Sequence, residues 1–201
     1  MDIEKTLCVQ KRESRGKGAN GRLRGQALIP GVFYTASGQN IMVQAPVLPL
    51  EKIYEAVGHT TVFNLEIESA NGKEIHPVLI WQVQRHPYKK QFLHIDYYGV
   101  DLDKEVKVDV PIEFVGTAKG VKLGGVLETY REEVRLASKP LEMPKKITID
   151  VSGLNIGDMI DVSDLQLPAN VHAVYDHNYA IVGVMAKSKE AEETEEAEKS
   201  E

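Results

Sequence analysis

The sequence predicts a mostly β protein of two domains followed by a polar tail. Three observations point there: period-two hydrophobic runs recur along the chain, clear helical spacing is confined to one segment, and the charge changes sign near residue 100. Residues 1–100 carry 12 Lys and Arg against 9 Asp and Glu, residues 101–186 carry 9 against 14, and residues 187–201 carry 3 against 7. A boundary is therefore expected within Gly99–Asp103, giving domains at 1–100 and 101–186 and a tail at 187–201.

The elements follow from spacing. Gly18–Gln26 reads as a short helix that Gly21 and Gly25 weaken by about 1 kcal/mol each. Leu50, Ile53, Tyr54 and Val57 recur at helical intervals, and Gly58 follows as a C-terminal cap. Phe63, Leu65 and Ile67 alternate with polar residues. Asn71-Gly72 then reads as a turn, and Ile75–Gln84 as the returning strand. Leu93–Tyr98 reads as a strand with Leu93, Ile95 and Tyr97 toward the core. Val106, Val108, Val110, Ile112 and Phe114 alternate with Lys107, Asp109, Pro111 and Glu113, a half-buried strand whose outward Pro111 implies an edge or a bulge. Val126–Ala137 is open between a helix and paired strands, with strands preferred. Ile147, Ile149 and Val151 alternate again, and Ala180–Met185 closes the series. The tail Lys187–Glu201 has no hydrophobic residue beyond alanine, so it is expected to be disordered or, at most, a solvated helix.

Composition sets further bounds. Hydrophobic residues make up 42% and charged residues 27%, as in a soluble globular protein. No apolar run approaches the roughly 18 residues that span a bilayer, and the N-terminus lacks a secretory pattern, so no membrane partner is expected. The single Cys8 cannot form an internal disulfide, fits a cytoplasmic home and reads as a small strand residue.

The most distinctive feature is KRESRGKGANGRLR at Lys11–Arg24, with six basic residues, one acid and three glycines in a chain of net charge -6. A basic block in an acidic protein points to a polyanion. A second feature is QVQRHPYKKQFLHIDYY at Gln82–Tyr98. Extended, it aligns Gln82, Gln84 and His86 on one face, and His94 with Asp96 on another. Paired, these strands make a polar face that fits three readings: a solvated surface, a metal or acid–base site at His86, His94 and Asp96, or a hydrogen-bonding platform for nucleic acid. His-x-Asp has no third ligand at a diagnostic spacing, and no Gly-x-Ser-x-Gly, P-loop, dinucleotide or His-Glu-x-x-His motif occurs, so neither metal, cofactor nor catalytic residues are expected. The platform joins both features. Arg12, Lys17, Arg22 and Arg24 would meet phosphates, and the polar face would read the wide, shallow minor groove of structured RNA. B-form DNA would favour a basic helix in the major groove, which is not evident.

The runs RESRGKGANGRLRGQALIPGVFY, QVQRHPYKKQFLHIDYY, VPIEFVGTAKGVKLGGVLE and IDVSGLNIGDMIDVSDLQLP resemble one family across nearly all of residues 3–186. It is the bacterial large-subunit ribosomal protein that binds 5S rRNA (L twenty-five), in its long two-domain form, CTC, the general stress protein. The resemblance implies a six-stranded β-barrel-like N-terminal domain with a few short helices, a second mostly β domain, and a ribosome-associated, non-catalytic role. It implies an RNA-binding set of Arg12, Lys17, Asn20, Arg22, Arg24, Tyr34, Gln84, His94 and Asp96, with Arg85 and His86 close by. Gly21 stands where many members are basic, and Lys90 replaces a frequent proline. The implied partners are 5S rRNA, the large subunit and neighbouring ribosomal proteins, with no small-molecule substrate and a monomer when free. A stress-induced adaptor or chaperone-like protein acting off the ribosome is the alternative.

Overall fold

Alternating apolar residues close on themselves in the first part of the chain. The computed structural model describes residues 5–69 and 72–186. There, β1 (Thr6–Lys11), β2 (Leu28–Thr35), β3 (Asn40–Pro46), β4 (Phe63–Ser69), β5 (Gly72–Arg85) and β6 (Phe92–Gly99) form a closed barrel in the order β1-β3-β2-β6-β5-β4. Two pairings are parallel, β1 with β4 through Cys8↔Glu66 and β2 with β6 through Gly31↔Ile95, and the others are antiparallel. Closure removes the exposed edges that an open sheet of this size would present. Leu7, Val9, Phe33, Phe63, Leu65 and Ile95 fill the interior. Gly31 is required where β2 meets β6, because a Cβ there would stand 2.7 Å from the Ile95 carbonyl oxygen. The Tyr97 hydroxyl is buried with no hydrogen-bond partner among the described residues, and burial pushes its ionisation far up.

Two helices leave the barrel wall, α1 (Lys17–Gly25) and α2 (Val47–Val57). In α2, Leu50 and Val57 are buried and Ile53 and Tyr54 pack against the core. Gly58, at φ 60°, ends the helix and donates its N–H to the Tyr54 carbonyl at 2.8 Å. His59 then latches the helix to β5. Its Nδ1–H donates to the Ile80 carbonyl at 3.1 Å, which leaves Nε2 to accept the Tyr54 hydroxyl at 2.9 Å.

The second part contains β7 (Val106–Val115), α3 (Lys119–Lys122), β8 (Gly125–Thr129), β9 (Glu133–Ser138), β10 (Ile147–Asp150), β11 (Met159–Asp161), β12 (His172–Ala173) and β13 (Ala180–Ala186). They make a four-stranded sheet, β10-β7-β9-β12, and a three-stranded sheet, β11-β13-β8. The packing separates two units after Val108, with Ala137–Lys145 belonging to the first.

Three expectations need adjustment. Val126–Ala137 forms strands, but β8 and β9 enter different sheets instead of pairing. Tyr130 and Arg131 donate to the Ile181 carbonyl, and Ile112 donates to the Glu132 carbonyl, so the chain changes sheets within three residues. Pro111 lies in an interior strand, yet β10 pairs with β7 only from Ile112 onward. Successive N–H groups point to opposite sides, so the missing donor falls where no neighbour has begun. Leu93 is half-buried rather than in the core, because the β5–β6 register passes from His94 to Phe92 and skips it. Asn71 and the tail Lys187–Glu201 lie outside the described residues.

Candidate nucleic-acid interface

The wall formed by β5 and β6 carries the polar face. Ile95 and Tyr97 are buried and Val83 packs on the core, so the residues between them face outward. The register sets Gln82 opposite Asp96 and Gln84 opposite His94. His94 Nδ1 lies 2.8 Å from Asp96 Oδ1, and both side chains are about a quarter exposed. The carboxylate therefore accepts from Nδ1–H, and in a neutral ring Nε2 is left as an outward acceptor. A bulge flanks the patch on each side, at Trp81 in β5 and at Leu93 in β6. Such bulges re-aim side chains and interrupt the ladder.

The Leu93 bulge also positions the basic segment. Its carbonyl, outside the β5–β6 register, accepts from Arg24 Nε at 3.1 Å and ties α1 to β6. Gly16, at φ 94°, makes the turn into α1, which has no acid in its first turn and Arg22 and Arg24 in its last. Cations there complement the negative end of the helix dipole. Lys17 and Arg22 are exposed. Arg22 lies back along the helix, with Nη1 3.7 Å from where a Gly18 Cβ would be.

Arg12 is employed differently from the phosphate contact read from the sequence. It is only 8% exposed. Nε donates to the Val43 carbonyl at 3.0 Å, Nη1 to the Ser14 carbonyl at 3.1 Å and to Asn20 Oδ1 at 3.0 Å, and Nη2 to the Gly31 carbonyl at 3.5 Å. Burial, with a smaller push from Arg15, lowers its ionisation from the usual guanidinium range. Arg12 and Asn20 thus lash the basic segment to β2 and β3.

Arg85 and His86 also leave the patch. Arg85 pairs in register with the core residue Phe92 and lies 4.7 Å from the Tyr54 ring centre and 5.1 Å from that of Phe92. It lines a groove with Glu51, Glu55 and Lys90. His86 Nδ1 accepts from the N–H groups of Tyr88 and Lys89, both at 3.2 Å, and so shapes the loop between β5 and β6. Tyr34 stays on the outer wall beside Tyr98, with ring centres 5.6 Å apart. Burial, then Asp96 and Tyr98, push its phenol ionisation up. Sequence reasoning passed over Trp81 and Tyr98, whose rings are 5.3 Å apart on the same wall. The available signal was the unbroken apolar run Val78–Trp81, which breaks alternation where the bulge forms.

Residues 7–97 match the model of the ribosomal L25p family, and residues 105–188 match that of the ribosomal protein TL5 C-terminal domain. The large ribosomal subunit protein bL25 of Desulfovibrio desulfuricans is 70% identical to this chain, over 97% of it and 98% of the relative. The chain belongs to the bL25 family. Its other bL25 relatives include that of Lawsonia intracellularis, 57% identical over 92% of this chain and 94% of its own. The bL25 protein of Syntrophobacter fumaroxidans is 35% identical over 98% of each chain. Within this bL25 framework the site residues sort by placement. Lys17, Arg22, Tyr34, Gln84, His94 and Asp96 are outward; Arg12, Asn20 and Arg24 hold α1 in place; Arg85 and His86 serve the neighbouring groove and loop.

Proposed function

We propose that this bL25 chain, a non-catalytic constituent of the large ribosomal subunit, binds 5S rRNA through the outer wall of its barrel. The observation that carries this reading is the His94–Asp96 pair, 2.8 Å apart and in register with Gln84 and Gln82, beside a helix whose Arg24 is tied to the same strand. Lys17 and Arg22 neutralise phosphates and position the barrel. Gln84, His94 and Asp96 meet the minor-groove edges. A carboxylate near phosphates is tolerable here because His94 donates to it, and its remaining lone pairs suit a base amino group or a 2′-hydroxyl. His94 Nε2 accepts from a second such donor. This pattern of acceptors flanked by amides suits the donors of an RNA minor groove, where 2′-hydroxyls and base edges are accessible. The C-terminal part, residues 101–186, which carries more acid than base, serves contacts with neighbouring ribosomal proteins or a limited patch of rRNA.

The test is binding of the full chain to 5S rRNA and to a blunt, fully paired RNA duplex over a salt series. Tighter binding to 5S rRNA at every salt concentration is expected. Equal affinities with equal salt slopes would reduce the face to generic charge.

A further inference from the structure

The outer wall carries more than polar groups. Trp81, on the β5 bulge next to Gln82, is 47% exposed, its ring centre 5.3 Å from that of Tyr98. Tyr98 in turn lies 5.6 Å from Tyr34, its partner in the β2–β6 register. Three rings therefore cross β5, β6 and β2 in a row. The neighbouring row holds Gln82 and Asp96, and the next holds Gln84 and His94.

The barrel interior does not explain this row. Trp81 is outside the buried cluster that fills the barrel, and half of a large aromatic surface stays in water, where it gives no burial stabilisation. Tyr98 packs on Trp81 and restrains it without covering it. The row is also continuous with the polar patch: Trp81 adjoins Gln82 in the chain, and Tyr98 is two residues from Asp96 on the same face. A polymer seated over Asp96 and Gln82 reaches the rings next. Helical base pairs show a protein only their groove edges, whereas an unpaired base offers a π face that aromatic side chains stack upon.

We propose that Trp81, backed by Tyr98 and Tyr34, stacks on an unpaired base of the bound RNA beside the segment met by Gln84, His94 and Asp96. This rests on the RNA-binding reading above and adds the chemical feature the site selects: a paired stretch bordered by an unstacked nucleotide.

Trp81 is the only tryptophan of the chain, so emission excited beyond tyrosine absorption reports this ring in the unmodified full-length protein. The experiment titrates that protein with end-labelled 5S rRNA, reading RNA anisotropy for binding and tryptophan emission for stacking. A blunt, fully paired RNA duplex at low salt serves as the comparison. Emission is expected to be quenched along the same isotherm as the anisotropy with 5S rRNA, and to be unchanged by the bound duplex. Trp81→Phe is expected to bind 5S rRNA within about threefold of the parent and Trp81→Ala about tenfold more weakly, with unchanged thermal unfolding midpoints. Binding of 5S rRNA with unchanged emission overturns the stacking role and leaves the RNA-binding reading standing. Equal quenching by the paired duplex overturns the preference for an unpaired base. Absence of 5S rRNA binding overturns the RNA-binding reading itself.

Discussion

Arg12 and Arg22 belong to one basic segment and are chemically identical, yet they work on opposite sides of it. Arg12 is buried, with its donors committed to Val43, Ser14, Asn20 and Gly31. Arg22 is exposed on α1, with open space around the neighbouring Gly21. The buried flank of Arg12, Asn20 and Arg24 fixes where the helix sits. The exposed crest of Lys17 and Arg22 keeps its charge open to solvent. Counting charges in the segment therefore overstates the charge available for binding, and part of it is scaffolding that makes the remainder effective.

The largest effect expected from breaking this division is on stability. Arg12→Ala strands buried carbonyls and frees the segment, costing about 2–3 kcal/mol in urea denaturation. Arg12→Lys restores little of it, since an ammonium lacks the planar fork that spans these acceptors. Next is Asp96→Ala, which removes the His94 partner and a groove acceptor. It should cost ~1–3 kcal/mol on 5S rRNA and little on a plain duplex, by titration on both RNAs. Equal losses on the two would remove Asp96 from the reading role. Arg22→Ala should leave the unfolding midpoint unchanged, weaken binding to every RNA and flatten the salt slope by roughly one phosphate's worth. A drop in stability would instead place Arg22 with the buried flank. Gly21→Lys sharpens the comparison from the other side. No atom stands within 4 Å of the added Cβ, so it should strengthen α1 by up to about 0.7 kcal/mol and raise RNA affinity, seen as a steeper salt dependence. The smallest effect is away from both flanks. Tyr97→Phe removes a buried hydroxyl with no partner among the described residues and should alter stability by less than about 1 kcal/mol, with RNA binding intact.

Local pattern made much of this molecule legible. Phe63-Leu65-Ile67 and Val106 through Phe114 announce β4 and β7, and the Leu50–Val57 spacing with Gly58 announces α2 and its end. The polar face was readable because Gln82, Gln84, His94 and Asp96 alternate with Val83 and Ile95. What was hidden is non-local. Barrel closure depends on parallel pairing of β1 with β4 and of β2 with β6, which no short window encodes. The burial of Arg12 depends on carbonyls of Val43 and Gly31 that arrive from distant strands. The bulges at Trp81 and Leu93 shift the register by one residue each. They moved Leu93 out of the core, freed its carbonyl for Arg24, and set Trp81 beside Gln82 on the outer wall.

The strand order has a temporal consequence. The strand bearing His94 and Asp96 is the last of the barrel to be synthesised, yet it lies between β2 and β5 rather than at the end of the sheet. A nascent chain that has emerged only through Arg85 can assemble the open sheet β2-β3-β1-β4-β5, but its outer strands β2 and β5 have nothing between them to close the barrel. The same insertion that closes the barrel supplies the His94–Asp96 half of the polar wall and the carbonyl to which Arg24 anchors. Such dependence on distant segments slows folding relative to local hairpins. It also means that an unfinished chain bears the basic segment before His94 and Asp96 take their places opposite Gln84 and Gln82, so the polar wall is completed only in the step that closes the barrel.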